Sequence, residues 1–170
     1  GRAITNTYLY SFAAILLVVI IGVIIAYTSV RRKNKLTNVL DVISMFPYII
    51  PGSVLGISLI LAFNKKPLLL SGTALIIIMA YVIRRLPYTI RSSSAILRQI
   101  DLGVEEASQS LGANPVKTFF AVTLPMMASG ILSGAIMSWL SIISELSASV
   151  MLWVTSTQTL SIAIYFQFMD

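Results

Sequence analysis

The sequence predicts an all-α membrane protein, a bundle of about four transmembrane helices with short cytoplasmic helices between them, and three observations predict it. The 170 residues are 57% hydrophobic and 11% charged, with mean hydropathy +0.91, which is too apolar for a soluble domain of this length. Apolar runs long enough to cross the ~30 Å hydrocarbon core recur along the chain. Between them the basic residues gather in short clusters, as they do in membrane loops.

The first run, Tyr8 to Val30, carries no charge and suits a membrane span. No small-residue cleavage site follows it, so a span is expected and not a signal peptide. Arg31-Arg32-Lys33-Asn34-Lys35 comes next. A second apolar segment, Val39 to Phe63, is interrupted by Pro47, Pro51, Gly52 and Gly56 and is expected to bend and face the bundle interior, because prolines at membrane depth free backbone carbonyls. Asp41, near its start, is expected to pair with Arg31, Arg32 or Lys35. Asn64-Lys65-Lys66-Pro67 reads as a tight turn.

A third span, Leu68 to Ile83, should end at Arg84-Arg85-Leu86-Pro87, with the two arginines anchoring it at the interface. A polar helical stretch, Arg91 to Ile100, follows. The fourth span is expected from Met126 to Leu152, and residues Ser156 to Asp170 beyond it. Nine of the twelve Lys and Arg residues fall in the loop after the first span or in the region 84–125. That face is expected to be cytoplasmic, with the N-terminus and Ser156 to Asp170 outside. One membrane domain, residues 1–170, accommodates all of this, and no internal repeat is evident.

The segment between the third and fourth spans is polar and heavily punctuated. Asp101 can cap a short helix whose first turn carries Glu105 and Glu106, acids that suit the positive end of a helix dipole. Gly112 can stop that helix as a left-handed residue. Asn114 and Pro115 read as N-cap and first residue of a second helix, along which Val116, Phe119, Phe120 and Leu124 form one apolar face with Lys117 pointing away. Such a hairpin either binds a protein or lies on the lipid surface, and its acidic first turn favours the protein partner.

Composition also excludes chemistry. The chain has no Cys and no His, hence no disulfide framework, no Cys/His metal cluster and no Ser/His or Cys/His pair. A Ser/Lys dyad fails because Lys33, Lys35, Lys65, Lys66 and Lys117 all lie in expected loops. The net charge of +6 sits in topological clusters without interleaved aromatics, which argues against nucleic acid.

Glu106-Ala107-Ser108, Gly112, Val122 and Leu124-Pro125 match in spacing the EAA loop of ABC importer permeases, with Ser108 in place of the second Ala. Tyr81 to Tyr88 with Arg91, Leu97 to Asp101, Glu145 to Ser149 and the signature Pro51-Gly52-Ser53-Val54-Leu55-Gly56 resemble permeases of the ferric-iron importer family, over about Leu40 to Ile164. The resemblance implies a type I ABC importer permease core in the bacterial cytoplasmic membrane. Its partners would be an ABC ATPase subunit, a second homologous permease half, an extracytoplasmic solute-binding protein and membrane lipid. It implies no covalent chemistry and no cofactor in this chain, with ATP and Mg used by the ATPase. Glu105, Glu106, Ala107, Ser108, Gly112, Leu124 and Pro125 would couple to that ATPase by rigid-body rocking. Family members for thiamine, sulfate, polyamines and phosphonates share these features, so ferric iron is only the first substrate expected. The resemblance implies a closing helix beyond Asp170, so the sequence reads as truncated at both ends, as one half of a fused two-half permease would.

Away from the loop, Glu145 falls near the outer boundary of the fourth span, where it either lines the mouth of a pathway and helps admit a cation or merely emerges at the headgroups. Ser138, Ser141 and Ser144 either present hydroxyls along one pathway face or permit close helix packing. The different-class alternatives are a membrane scaffold recruiting a soluble partner and a secondary transporter, the latter disfavoured because the polar motif lies in a loop.

Overall fold

The computed structural model describes residues 1–169. Its centre is three long helices, α1 (Arg2–Arg31), α4 (Ala74–Leu97) and α8 (Ala128–Ile143). Helix α4 lies between the other two, parallel to α1 and antiparallel to α8. Without a hydrophobic drive between helices in lipid, close backbone approach must hold them, and small residues supply it. A β-carbon at Gly22 of α1 would meet Thr89 Cγ2 at 2.9 Å, and one at Gly134 of α8 would meet Thr89 Cα at 2.8 Å.

The interrupted second segment forms α2 (Lys35–Ile49) and α3 (Gly52–Phe63), which turn by 110° at Ile50 and Pro51. Asn34 caps α2 by accepting from the Thr37 backbone N–H at 2.8 Å. The expectation that the whole segment faces the bundle interior is corrected for α2, which buries Thr37 and Ser44 while Val42, Ile43, Phe46 and Ile49 stay exposed. Pro51 sits where the chain turns, and Pro47 lies inside α2. Helix α3 does turn inward, through Gly52, Leu55, Gly56 and Leu59. Asp41 makes no ion pair among the described residues, and of the three partners expected for it Arg31 is engaged with Glu105.

The third helix differs most from expectation. Leu68–Leu69 pairs antiparallel with Asn64–Lys65 as a small hairpin, so the helix begins only at Ala74. It then runs unbroken through Arg84, Arg85 and Pro87 to Leu97. The arginines therefore do not anchor a helix end at the interface. They lie about 15 Å and 20 Å along the axis from the two ends of α4, at membrane depth. Pro87 is tolerated because it borders a cavity of about 460 Å3 with Met45, Tyr48, Ile49, Tyr88 and Arg91.

The fourth span is also shorter than expected. Helix α8 stops at Ile143, the chain breaks over 144–148, and α9 (Ser149–Leu152) follows. Residues Leu160–Met169 form an apolar helix, α10, tied to the rest by Ser161 donating to the Ile143 carbonyl at 2.7 Å. Of the long helices, α1 alone is apolar enough to cross a membrane; two bent pairs, α2 with α3 and 115–126 with α8, raise the number to three. Helix α4 is long enough but carries Arg84, Arg85 and Arg91.

The loops sort to two ends. Asn6 of α1 donates to the carbonyls of Ser156 and Gln158, at 3.1 and 2.9 Å, while the opposite end of α1 meets the region after α4. Taking Arg84 and Arg85 off the basic face leaves the charge bias in the same direction. Two apolar cores result, one around Tyr10, Ile76, Ile77 and Ile142, the other around Val23, Leu97, Ile100 and Met127.

Candidate functional site

The polar segment folds as a hairpin at the second of these ends. Its first limb is α5 (Leu102–Ser110), capped by Asp101, which accepts from the Gly103 N–H at 2.6 Å. Gly112 adopts φ +92, the Gly112 N–H donates to the Gln109 carbonyl at 2.9 Å, and the Ala113 N–H donates to Ser108 at 3.2 Å. This pair of bonds closes a helix around a left-handed residue. The second limb starts at Asn114, which accepts from the Lys117 N–H at 2.7 Å, with Pro115 first in α6 (Pro115–Thr118). A π-helical turn (Phe119–Thr123) and α7 (Leu124–Met126) lead into α8.

Contacts from α1 and between the two limbs fasten this hairpin. Arg31, at the end of α1, donates from Nε to Glu105 Oε1 at 2.9 Å and from Nη2 to the Ile100 carbonyl at 2.9 Å. Tyr27, one turn earlier, donates to Glu105 Oε2 at 3.2 Å, and its ring meets Phe119 edge-on at 4.9 Å. Ser108 and Thr118 hydroxyls lie 3.1 Å apart across the limbs. The Ser that replaces the second Ala of the motif thus joins the two limbs.

These contacts divide the expected coupling residues. Glu105 is 3% exposed and faces α1, so it is a fastening of the hairpin and not part of its outer surface. Glu106, Ala107, Gly112 and Pro125 are exposed; Ser108 and Leu124 are half-buried. The single apolar face expected for Val116, Phe119, Phe120 and Leu124 is split. Val116 and Phe120 point outward, while Phe119 and Leu124 pack on the core around Met127. The π turn is the cause, because its extra residue shifts the helical phase: the buried positions run Thr118, Thr123, Met127, Gly130. Leu111 is 90% exposed at the tip, while Val116 and Phe120 border grooves alongside Ile24 of α1.

The four expected pathway residues do not form one face. Ser138 is buried against α4, its Oγ 3.5 Å from that of Thr89; Ser141 is half-buried; Ser144 is exposed and bonds back to the Leu140 carbonyl at 3.1 Å. Three-residue steps drift by about 60° per step on a helix of 3.6 residues per turn, which separates them. Ser138 instead continues the small-residue stripe of Gly130 and Gly134.

Glu145 is 4% exposed and sits in the break after α8. Its Oε2 is paired with Arg85 Nη2 and, at 3.3 Å, with Arg84 Nε, and its Oε1 accepts from the Ala148 N–H at 3.2 Å. Of the two expectations for Glu145, emergence at the headgroups does not fit its burial, and its charge is shared by two guanidinia. Sequence reasoning missed Tyr27, Arg31 and Thr118 as site residues and misplaced Arg84 and Arg85. Tyr27 and Arg31 stand four apart, one face of one helix, which was the available signal.

The family model for "Binding-protein-dependent transport system inner membrane component" matches residues 4–169. The chain is 35% identical over 156 residues to the ferric transport system permease protein FbpB of Actinobacillus pleuropneumoniae, covering 92% of this chain and 23% of that relative. It is 33% identical over 147 residues to the molybdate/tungstate transport system permease protein WtpB of Pyrococcus abyssi, covering 86% and 58%. It is 28% identical over 160 residues to the probable sulfate transport system permease protein cysT of Anthoceros angustus, covering 88% and 56%.

Proposed function

Because the chain belongs to the family of binding-protein-dependent transport system inner membrane components, we propose that it forms membrane-spanning permease structure of an ATP-driven importer in a bacterial cytoplasmic membrane. The hairpin carries the reading. Its limbs are fixed at Gly112, fastened to α1 through Glu105, and present Leu111, Val116 and Phe120 outward. An ABC ATPase subunit receives the exposed tip, Leu111 with Glu106. Closure of the ATPase, which uses ATP and Mg, then moves the hairpin and α1 as one body and opens the pathway alternately to each side. A second homologous half completes the pathway, and a solute-binding protein delivers cargo outside.

Ferric iron is the first cargo of this proposal, supported by two ferric permeases among the relatives at 35% identity. A small oxyanion is the second reading. Two arginines against one carboxylate at membrane depth favour it. Vesicles holding the complete transporter are the test. ATP hydrolysis stimulated by the loaded binding protein, with accumulation of ferric iron, is expected; hydrolysis indifferent to binding protein and to every solute would favour a scaffold instead.

A further inference from the structure

Beside the fastened hairpin a groove runs along α1. Its mouth, about 240 Å3, lies among Arg32, Val116, Ile24 and Phe120, and its deeper part, about 210 Å3, reaches Val19, Ile20 and Leu124, with Ile24, Phe119 and Phe120 common to both. From Arg32 to Val19 is roughly 20 Å along α1, about half of the ~40–45 Å that a bilayer spans with its headgroups. The groove is as deep as one leaflet. The π turn opens it, turning Phe119 in toward Tyr27 and leaving Phe120 and Val116, 62% and 66% exposed, across a gap from Ile24.

The polar groups along this groove are already engaged, with one exception. The Tyr27 hydroxyl donates to Glu105, and Thr28 Oγ1 donates to the Ile24 and Ile25 carbonyls at 2.9 and 3.0 Å. Arg32 is the exception: it is exposed at the mouth and pairs with no carboxylate among the described residues, while its neighbour Arg31 is held by Glu105. No carboxylate lines either part. Next to the groove α1 turns Leu16, Leu17 and Ile21 outward, on a helix apolar enough to cross a membrane. A cation at the mouth above an apolar wall fits an amphiphile, with its anion at Arg32 and a hydrocarbon chain below.

We propose that this groove holds one acyl chain of an anionic phospholipid, with the lipid phosphate on the Arg32 guanidinium. A guanidinium fork matches phosphate oxygens, and the basic residues gather on the cytoplasmic side, whose leaflet carries anionic lipid. The lipid takes the second limb and leaves the tip, with Glu106, to the ATPase. A seated chain props that limb against α1, so the charge of the leaflet bears on the hairpin. The inference goes beyond transport, and its test needs neither ATP nor cargo.

The test is native mass spectrometry of the full-length protein released from nanodiscs of equal phosphatidylcholine and phosphatidylglycerol. Retention of phosphatidylglycerol over phosphatidylcholine is expected. Arg32→Gln lowers that preference about fivefold, the effect of one basic residue at an anionic surface, whereas Lys33→Gln removes the same charge next door and leaves the preference nearly unchanged. Ile24→Trp fills the groove without altering its charge and releases the retained lipid. Equal effects of Arg32→Gln and Lys33→Gln would overturn the site in favour of diffuse attraction by a basic loop. Retention that survives Ile24→Trp, or no retention in the parent because protein covers the groove, overturns it as well.

Discussion

The protein carries two ionic centres that differ in charge count. At the hairpin, Arg31 faces Glu105 one to one, and Tyr27 and the Ile100 carbonyl satisfy what remains. At membrane depth, Arg84 and Arg85 share Glu145, and two of their nitrogens stay unused. A balanced pair with Nε and Nη2 of the arginine both bonded fixes one geometry. An unbalanced one leaves buried charge that the carboxylate answers only in part, which costs stability.

The comparison breaks first at Glu145. Replacing it with Ala strands two buried guanidinia, and a loss of about 3–5 kcal/mol is expected from thermal or denaturant unfolding in detergent. A loss under about 1 kcal/mol would mean that the arginines reach water and that the two centres do not differ as described.

Glu105→Ala should cost less, about 3 kcal/mol, because Arg31 keeps the Ile100 carbonyl and lies nearer the membrane surface. The more telling measurement is coupled uptake beside co-purification with the proposed ATPase partner. Uptake should fall while the ATPase still binds, since Glu105 faces α1 and not the outer surface. Loss of ATPase binding with a normally folded bundle would return Glu105 to the role of a surface contact.

Gly134→Ala probes the contact that sets the distance between α4 and α8, and hence the reach of the arginines to Glu145. The added methyl would lie 2.8 Å from Thr89 Cα, on backbone that cannot swing away, so about 1–3 kcal/mol of destabilisation is expected in the same unfolding assay. Gly112→Ala meets nothing within 4 Å and is penalised by its φ of +92 alone. About 1 kcal/mol of stability should go, with reduced coupling and normal membrane insertion. Uptake unchanged in that variant would remove Gly112 from the coupling hairpin.

Legibility followed the range of each interaction. Asp101, Gly112, Asn114 and Pro115 shaped the hairpin as expected because caps and left-handed turns are decided within a few residues. The bend at Pro51 was legible for the same reason. The run Arg84 to Pro87 misled because its local chemistry is that of a helix end, while its partner Glu145 lies 60 residues away. The apolar face on the second limb misled because a π turn moved Phe119 and Leu124 out of phase with Val116 and Phe120.

The sequence by itself determined that this chain is helical and membrane-bound, where its punctuated hairpin lies, and which end of the bundle holds most of the free basic residues. Composition, hydropathy and local backbone preference suffice for these, and none needs a distant partner. Tertiary structure alone decided that α4 continues through its arginines, that Glu105 turns inward to Arg31, and that Glu145, in the break after α8, meets both arginines of α4. A charge at membrane depth is tolerable only against a partner, and which residues become partners is settled when helices far apart in sequence pack together.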